Sequence, residues 1–310
     1  MASAWRLLAG ALFALMGLCV RLASGHFSQT ELVLYRSLAG LLLLAPLLLR
    51  PLALRTAYWQ THLLRGLAGG AALWLYFYAI THLPLATAVS LNYTSPLFLS
   101  LYGSRHLGER TGARLRAALL VGFVGVLLLL QPVLTPDRLL PAAGGLLSGA
   151  LASLAYVNVR RLGREGEPEW RVVFFFSLTC SVAFGLLAVV DGIEAPAVGD
   201  LPLLLGLGLS ATLAQLAMTR AYGRGRTLVA GCLSYSTLLF SALAGAMVLG
   251  ETPGPLAWLG MTLIVLAGVA SMAIPAHASH SRPADRSAAP EQTPTRPTQT
   301  TDTTGGIVRP

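Results

Sequence analysis

The chain alternates between long apolar runs and short segments that are rich in glycine, proline and charged residues. An apolar helix of about 20 residues crosses the hydrocarbon core of a bilayer, which is roughly 30 Å thick. Runs of that length occupy approximately residues 4–22, 30–50, 65–82, 84–104, 115–132, 142–160, 171–190, 200–219, 227–249 and 254–274. The pattern therefore predicts an all-α integral membrane protein with ten transmembrane helices.

The apolar pattern stops at Pro275. Residues 276–310 are mostly Ser, Thr, Pro, Ala, His and Arg. A segment of this composition buries too little apolar surface to offset the entropy that it would lose on ordering. We therefore expect residues 276–310 to form a disordered tail on the cytoplasmic side.

The composition excludes several other classes of protein. Hydrophobic residues make up 55% of the chain and charged residues 11%, and the mean hydropathy is +0.66. A soluble domain carries about a quarter charged residues. The net charge of +9 is the kind of value seen in nucleic-acid-binding proteins. Here, however, every basic residue is an arginine, and most of them lie in short clusters between apolar runs, so no nucleic-acid partner is expected.

The arginines also predict the orientation of the chain. Membrane proteins carry an excess of Lys and Arg in their cytoplasmic loops. With a cytoplasmic N-terminus and ten spans, the cytoplasmic loops would hold Arg50, Arg55, Arg65, Arg105, Arg110, Arg114, Arg116, Arg160, Arg161, Arg164, Arg171, Arg220, Arg224 and Arg226. The opposite loops would hold only Arg21 and Arg138. This bias predicts a multi-pass protein of the bacterial inner membrane with both termini in the cytoplasm.

The sequence contains an internal repeat. At a shift of 142 residues, the segment 88–109 overlays 230–251 without a gap, and the identities include a Tyr, a Phe and a Leu-Gly-Glu ending. At a shift of 139 residues, Gly10-Ala11-Leu12 overlays Gly149-Ala150-Leu151. We therefore expect one repeat over residues 1–132 and a second over residues 142–275.

Each predicted repeat contains five spans. Because five is odd, the second repeat enters the membrane from the opposite side to the first. Inverted repeats are typical of alternating-access carriers, in which the substrate site lies near the midplane where the repeats meet. The alternative is a duplicated membrane scaffold that transports nothing.

Four short stretches resemble one known family. They are Glu31-Leu-Val-Leu-Tyr-Arg-Ser37, Leu83-Pro-Leu-Ala86 followed by Asn92-Tyr-Thr-Ser-Pro96, Gly166-Glu-Pro-Glu169, and Thr219-Arg-Ala-Tyr222. Together with the five-plus-five arrangement, they are similar to the drug/metabolite transporter superfamily, in particular its ten-span EamA-type metabolite exporters. The resemblance implies two inverted EamA-like repeats and a carrier of amino acids, vitamins, nucleobase-like compounds or drugs, often outward and often against protons.

Arg36 is a charged residue inside the second predicted span. Charged groups in the hydrocarbon region are costly and often mark functional sites. The guanidinium group can bind a substrate carboxylate through two parallel hydrogen bonds. In the alternative interpretation, the side chain reaches the outer interface and pairs with Glu31.

The leading candidate site is the segment Asn92, Tyr93 and Thr94 in the fourth span. Pro96 lacks an N–H group and predicts a kink there. The second repeat offers Ser234 and Tyr235 at matching positions. In the alternative interpretation, these side chains hydrogen-bond to their own helices.

Three further polar or aromatic residues are candidates for substrate contact, and they are Trp74, Tyr156 and Gln215. Packing within the bundle is the alternative for Trp74. Four titratable residues near the ends of predicted spans are candidates for gating or proton coupling, and they are Glu31, His82, Glu109 and Glu251. No Asp or Glu lies in the middle of a predicted span, so any coupling to protons would rest on these edge positions.

These features predict that the protein is a transporter and not an enzyme. We expect no cofactor and no metal site. Its partners would be the lipid bilayer, a small-molecule substrate, protons as a coupling ion, and a second copy of the chain in a homodimer. The leading function is export or exchange of a small polar or aromatic, amino-acid-like metabolite. The alternatives are an uptake carrier for a vitamin or nucleobase-like solute, and a membrane adaptor that acts through its tail.

Overall fold

The computed structural model describes residues 2–49, 54–106, 113–130, 135–193, 195–224 and 236–273, and regular structure in these ranges is helical. The α-helices are α1 (Ala2–Ala23), α2 (Gln29–Leu44), α3 (Trp59–His82), α4 (Leu85–Asn92), α5 (Ser95–His106), α6 (Ala113–Leu130), α7 (Pro136–Arg164), α8 (Glu169–Asp191), α9 (Leu201–Arg224), α10 (Ser236–Val248) and α11 (Pro255–Ala273). Short 3-10 helices at Ala45–Leu49 and Val198–Asp200 extend α2 and precede α9. The prediction of an all-α chain is confirmed over this part.

Six helical segments of the described part are long and apolar enough to cross a membrane. They are Trp5–Ala23, Gln29–Leu49, Trp59–His82, Pro136–Arg164, Glu169–Asp191 and Val198–Tyr222. Two shorter apolar segments are Ser236–Val248 and Pro255–Ala267. The number of ten spans therefore stays a prediction, and the predicted tail lies outside the described residues.

Two helices begin well before the apolar runs that predicted them. The third run starts at residue 65, yet α3 begins at Trp59. The extra turns include His62, which is 2% exposed because α3 packs there against other helices and not against lipid. Pro136 opens α7, where a missing backbone N–H costs nothing because that position has no partner within the helix.

Helix packing follows the internal repeat. At the sequence shifts of 139 and 142 residues, α1 overlays α7 and α3 overlays α9. In the structure α3 packs along α7, and α1 packs along α9. If each helix is replaced by its counterpart in the other repeat, the α3–α7 contact becomes the α9–α1 contact. A two-fold relation between the repeats requires this correspondence. The EamA repeat arrangement is consistent with this packing.

Glycines allow the closest helix approaches. A Cβ atom at Gly149 would lie 2.9 Å from the Asn92 carbonyl oxygen, so only glycine lets α7 approach the end of α4 this closely. Small residues serve the same purpose in other membrane bundles. The approach matters because the end of α4 forms part of the candidate site.

The outward faces of the bundle are aliphatic. Leu42 is 74% exposed, Leu186 67% and Leu205 66%, and many other leucines and valines are similarly accessible. A soluble protein rarely exposes apolar surface on this scale. These faces therefore contact lipid, as expected for a multi-pass membrane protein.

Side-chain contacts define the two ends of the bundle. At one end, Arg6 lies over the ring of Tyr222, and the Thr56 hydroxyl donates a hydrogen bond to Glu167. We call this the arginine-rich end. At the opposite end, Arg21 donates hydrogen bonds to the carbonyl oxygens of Ile80 and Thr81, at 2.9 and 2.8 Å.

Candidate functional site

A cavity with both polar and apolar lining lies inside the bundle, between helices of the two predicted repeats. Its volume is about 60 Å³, enough for a few water molecules. The cavity is lined by Phe13, Met16, Arg65, Gly69, Ala72, Leu73, Tyr76, Asn92, Tyr93, Ala152, Ala155, Tyr156, Phe176 and Gln215. Four of the predicted site residues are therefore brought together here: Asn92, Tyr93, Tyr156 and Gln215.

A break between α4 and α5 directs polar groups into this cavity. Helix α4 ends at Asn92 and α5 begins at Ser95, so the fourth predicted span is interrupted at Tyr93 and Thr94. Pro96 is the second residue of α5, where its missing N–H leaves no hydrogen bond unmade. Irregular backbone at membrane depth is tolerated where protein surrounds it or it lines a cavity.

Hydrogen bonds across the break connect the two repeats. The Asn92 amide nitrogen donates to the Ser148 hydroxyl at 2.9 Å, and the Tyr93 hydroxyl donates to the Thr237 hydroxyl at 2.9 Å. Both acceptors belong to the second repeat as the sequence predicts it. A movement of one repeat against the other would therefore act directly on the cavity wall.

Thr94 and Trp74 lie away from the cavity lining. The Thr94 hydroxyl donates to the Leu91 carbonyl oxygen at 2.6 Å, so it bonds back to the preceding helix. Trp74 donates to the Thr30 hydroxyl at 3.2 Å and stacks on Tyr78 with ring centroids 6.0 Å apart. The predicted residues Ser234 and Tyr235 lie outside the described residues.

Arg65 lines the cavity, although its position near the start of a run predicts a loop arginine. Because α3 begins at Trp59, Arg65 lies well inside the helix and is 2% exposed. Its Nη2 atom donates to the Gln215 side-chain oxygen at 3.1 Å. Its Cζ atom lies 3.9 Å from the centroid of the Phe176 ring. The glycine one turn later, Gly69, is the sequence signal that could have indicated room for this side chain.

Arg36 lies behind the same phenylalanine. It is 3% exposed, and its Cζ atom is 5.0 Å from the centroid of the Phe176 ring. Its Nε and Nη1 atoms have no hydrogen-bond partner. Glu31 is engaged elsewhere, because its carboxylate accepts hydrogen bonds from the backbone N–H and the hydroxyl of Ser28 in a capping box at the start of α2.

Two other predicted gate residues lie at the opposite end of the bundle. Both carboxylate oxygens of Glu251 accept the backbone N–H of Leu85, at 2.9 and 3.0 Å, which satisfies the start of α4 and suits the helix dipole. His82 is exposed, and its Nδ1 atom lies 2.8 Å from the Thr81 hydroxyl. Glu109 lies outside the described residues.

A buried ionic cluster at the arginine-rich end has no counterpart in the sequence predictions. Glu167 accepts hydrogen bonds from Arg171 at 3.0 Å and from Thr56 at 2.5 Å. The Nε2 atom of His62 lies 3.7 Å from the same carboxylate. We call these four residues the Glu167 cluster. It joins the start of α3 to the turn between α7 and α8.

A second carboxylate of the same turn binds Tyr58. The Tyr58 hydroxyl donates to Glu165 at 2.8 Å. This hydrogen bond, together with the nearby negative charge, raises the pKa of Tyr58 above its ordinary value. The phenol therefore stays protonated and remains a donor at physiological pH.

The long apolar helices and their aliphatic outer faces are those of a multi-pass helical membrane protein. A model of the EamA-like transporter family matches residues 1–131 and 140–273. The chain therefore belongs to this family, and the resemblance found in its sequence is confirmed. It is a membrane transporter of small molecules.

Individual relatives agree with this assignment. The chain is 32% identical over 264 residues to the pseudopaline exporter of Pseudomonas aeruginosa, covering 85% of this chain and 93% of the relative. It is 29% identical over 272 residues to a riboflavin transporter of Vibrio cholerae, covering 84% and 89%. A crystal structure with 22% identity, covering 87% of this chain and 96% of its own, superposes with a TM-score of 0.67 and shows the same fold.

Proposed function

We propose that the chain is a ten-span secondary carrier that exports or exchanges a small polar or aromatic, amino-acid-like metabolite by alternating access. In this proposal it is not an enzyme. The two inverted five-helix repeats would be residues 1–132 and 142–275. The substrate would bind at the central cavity, which would have to widen when one end of the bundle opens, because its present volume of about 60 Å³ holds a few water molecules. The observation that carries the proposal is the position of this cavity between helices of both repeats, because inverted-repeat carriers bind their substrates there.

The cavity wall supplies groups suited to such a substrate. Asn92 and Gln215 offer amide donors and acceptors, and the rings of Tyr93 and Tyr156 offer flat apolar surface beside a hydroxyl group. Ring stacking extends outward from the cavity, since Tyr156 lies 4.9 Å from Tyr222 and Arg6 lies over Tyr222. We assign these residues and Arg36 to substrate binding or to its support.

The contacts at the two ends would alternate during transport. Glu251 holds the start of α4 at the opposite end, and the Glu167 cluster joins α3 to the α7–α8 turn at the arginine-rich end. In an alternating-access cycle, each set of contacts would break when its own end opens. Proton coupling and homodimer formation belong to the same proposal, with Glu251 as the carboxylate that protonation would release from Leu85.

The orientation follows from the arginine distribution in the sequence. We propose the bacterial inner membrane as the location, with both termini in the cytoplasm and the arginine-rich end facing inward. The name of the Pseudomonas relative favours export. The riboflavin transporter of Vibrio favours the second candidate, an uptake carrier for a vitamin.

The function can be tested with the purified full-length chain in liposomes. Labelled tryptophan, phenylalanine and riboflavin are loaded on one side, and their appearance on the other side is compared with protein-free liposomes. The proposal expects protein-dependent flux of at least one solute that saturates with concentration and falls when Tyr93 is replaced by alanine. Flux absent for every solute, or flux unchanged in Tyr93→Ala, would count against it.

A further inference from the structure

Two guanidinium groups lie against a single phenylalanine at the cavity. The Cζ atoms of Arg65 and Arg36 are 3.9 and 5.0 Å from the centroid of the Phe176 ring. The two residues are 2% and 3% exposed. Cations this deeply buried in a membrane protein are costly, and they are retained where they perform a function.

The described part of the chain offers neither charge a counter-ion. Among the residues that the structure describes, no carboxylate forms an ion pair with Arg65 or Arg36. The hydrogen-bond acceptor of Arg65 is the neutral side chain of Gln215. The Nε atom of Arg65 and the Nε and Nη1 atoms of Arg36 are buried without any hydrogen-bond partner.

The cavity contains one more donor without a partner. Tyr76 lines the cavity, and its buried hydroxyl makes no hydrogen bond. Buried polar groups are nearly always satisfied, and a group that is not needs an explanation. An oxyanion in the cavity would accept from Arg65 and Tyr76 and would neutralise positive charge beside it.

Gly69 gives the Arg65 side chain its place on the cavity wall. A Cβ atom at Gly69 would collide with the Nη1 atom of Arg65 and would lie 3.0 Å from the Phe176 ring. The guanidinium group therefore lies along α3 over the glycine, facing the cavity. Arg36 contributes its charge from behind Phe176.

We propose that the cavity binds the carboxylate of a small solute with an aromatic body, and that Arg65 is the residue that determines this preference. This inference rests on the proposed carrier function and names the chemical class of its substrate. The carboxylate would accept hydrogen bonds from Arg65, and Tyr76 would add a further donor. The rings of Phe176, Tyr93 and Tyr156 would face the apolar body of the solute.

The test compares acids with their neutral amides. Purified full-length protein in detergent is titrated with indole-3-acetate, L-tryptophan, indole-3-acetamide and L-tryptophanamide, and binding is followed by the shift in melting temperature and by calorimetry. Ligands that bind the folded state raise its apparent stability by RT ln(1 + [L]/Kd), so at equal concentration the tighter ligand gives the larger shift. We expect at least one acid to bind, and its amide to bind roughly tenfold or more weakly.

Variants identify the residue responsible. Arg65→Gln should weaken acid binding by roughly tenfold or more and leave amide binding unchanged, and Arg65→Lys should restore part of the affinity because it keeps the charge. Arg138→Gln is the matched control, because Arg138 is exposed at the start of α7. It should bind like the wild type. The melting temperature of each variant without ligand establishes that it is folded.

Three results would overturn the inference: equal binding of an acid and its amide, unchanged acid binding in Arg65→Gln, or no binding by either acid. A flux measurement in liposomes, with the same compounds and riboflavin, distinguishes failure of the carboxylate proposal from failure of the carrier proposal. A protein that moves riboflavin or the amides but ignores the acids is a carrier without the anion preference. A protein that binds the acids but moves nothing has the anion site without the proposed function.

Discussion

Arg65 at the cavity and Arg171 in the Glu167 cluster have opposite kinds of partner. In the cluster, Arg171 donates to a carboxylate that is 5% exposed, and Thr56 and His62 lie against the same group. At the cavity, Arg65 is 2% exposed, against 18% for the Arg171 side chain, and its contacts in the described part of the chain are the neutral oxygen of Gln215 and the ring of Phe176. The more deeply buried of the two cations is therefore the one without a carboxylate beside it among the described residues.

The difference separates structural from functional charges. When a carboxylate lies beside a cation inside the protein, the two charges compensate each other. Removal of the cation then leaves the carboxylate with an uncompensated charge in a low-dielectric environment. A buried cation without one is compensated only when something binds beside it. Our proposal therefore assigns the charges of the Glu167 cluster to protein–protein contacts within the bundle and the charge at the cavity to a ligand.

The largest expected effect is on transport when the cavity wall is truncated. Arg36→Ala and Tyr93→Ala should each lower flux by about tenfold or more, because one removes charge behind Phe176 and the other removes a ring and the bond to Thr237. Arg138→Ala serves as the control at equal membrane abundance. Normal flux in either cavity variant would remove that residue from the site.

The stability of the ligand-free protein tests the difference between Arg171 and Arg65 directly. Arg171→Gln should lower the stability of the ligand-free protein by about 1–3 kcal/mol, because it leaves the Glu167 carboxylate with one charged hydrogen bond fewer. Arg65→Gln should leave the ligand-free stability unchanged or raise it, because no carboxylate is abandoned. Thermal unfolding in detergent measures both, and the reverse order of melting temperatures would refute the distinction.

A more subtle change tests the position of the Arg65 side chain. Gly69→Ala should weaken acid binding several-fold while the fold persists, because the new Cβ atom displaces the end of a flexible side chain. Gly185→Ala is the matched control on α8, where a Cβ atom would meet a leucine methyl group at an ordinary distance of 3.6 Å. Equal binding in both variants would show that the location of the guanidinium group does not matter.

The smallest effect is expected outside the bundle. A chain that stops at Pro275 lacks residues 276–310, which the sequence predicts to be disordered, and every residue of the cavity remains. Its flux should stay within about twofold of the full chain. A loss of function on this deletion would favour the adaptor interpretation over the carrier.

Much of the fold could be predicted because the bilayer imposes a simple rule on the sequence. Apolar runs of the required length mark the helices, and the interruption near Pro96 marks the end of α4. Asn92, Tyr93, Tyr156 and Gln215 could be identified because polar groups within such runs are costly and rarely accidental.

The positions that the sequence could not predict depend on tertiary packing. Arg65 was expected in a loop because the apolar run begins there, whereas α3 begins at Trp59, and packing against neighbouring helices buries His62 and Arg65. Trp74 was a candidate for substrate contact because of its mid-span position, and in the structure it donates to Thr30 and lines a separate apolar cavity between α3 and α8. The His62 contact with Glu167 joins residues that are far apart in the sequence, so no local pattern indicates it.

The most direct test of the account is the flux of labelled indole-3-acetate and L-tryptophan into liposomes that contain the wild type, Arg65→Gln or Arg138→Gln. The account predicts that the wild type and the Arg138→Gln protein move at least one of these acids at similar rates, whereas folded Arg65→Gln moves it roughly tenfold more slowly or not at all. Equal flux in Arg65→Gln and the wild type would contradict the claim that the unpaired charge at the cavity serves the substrate.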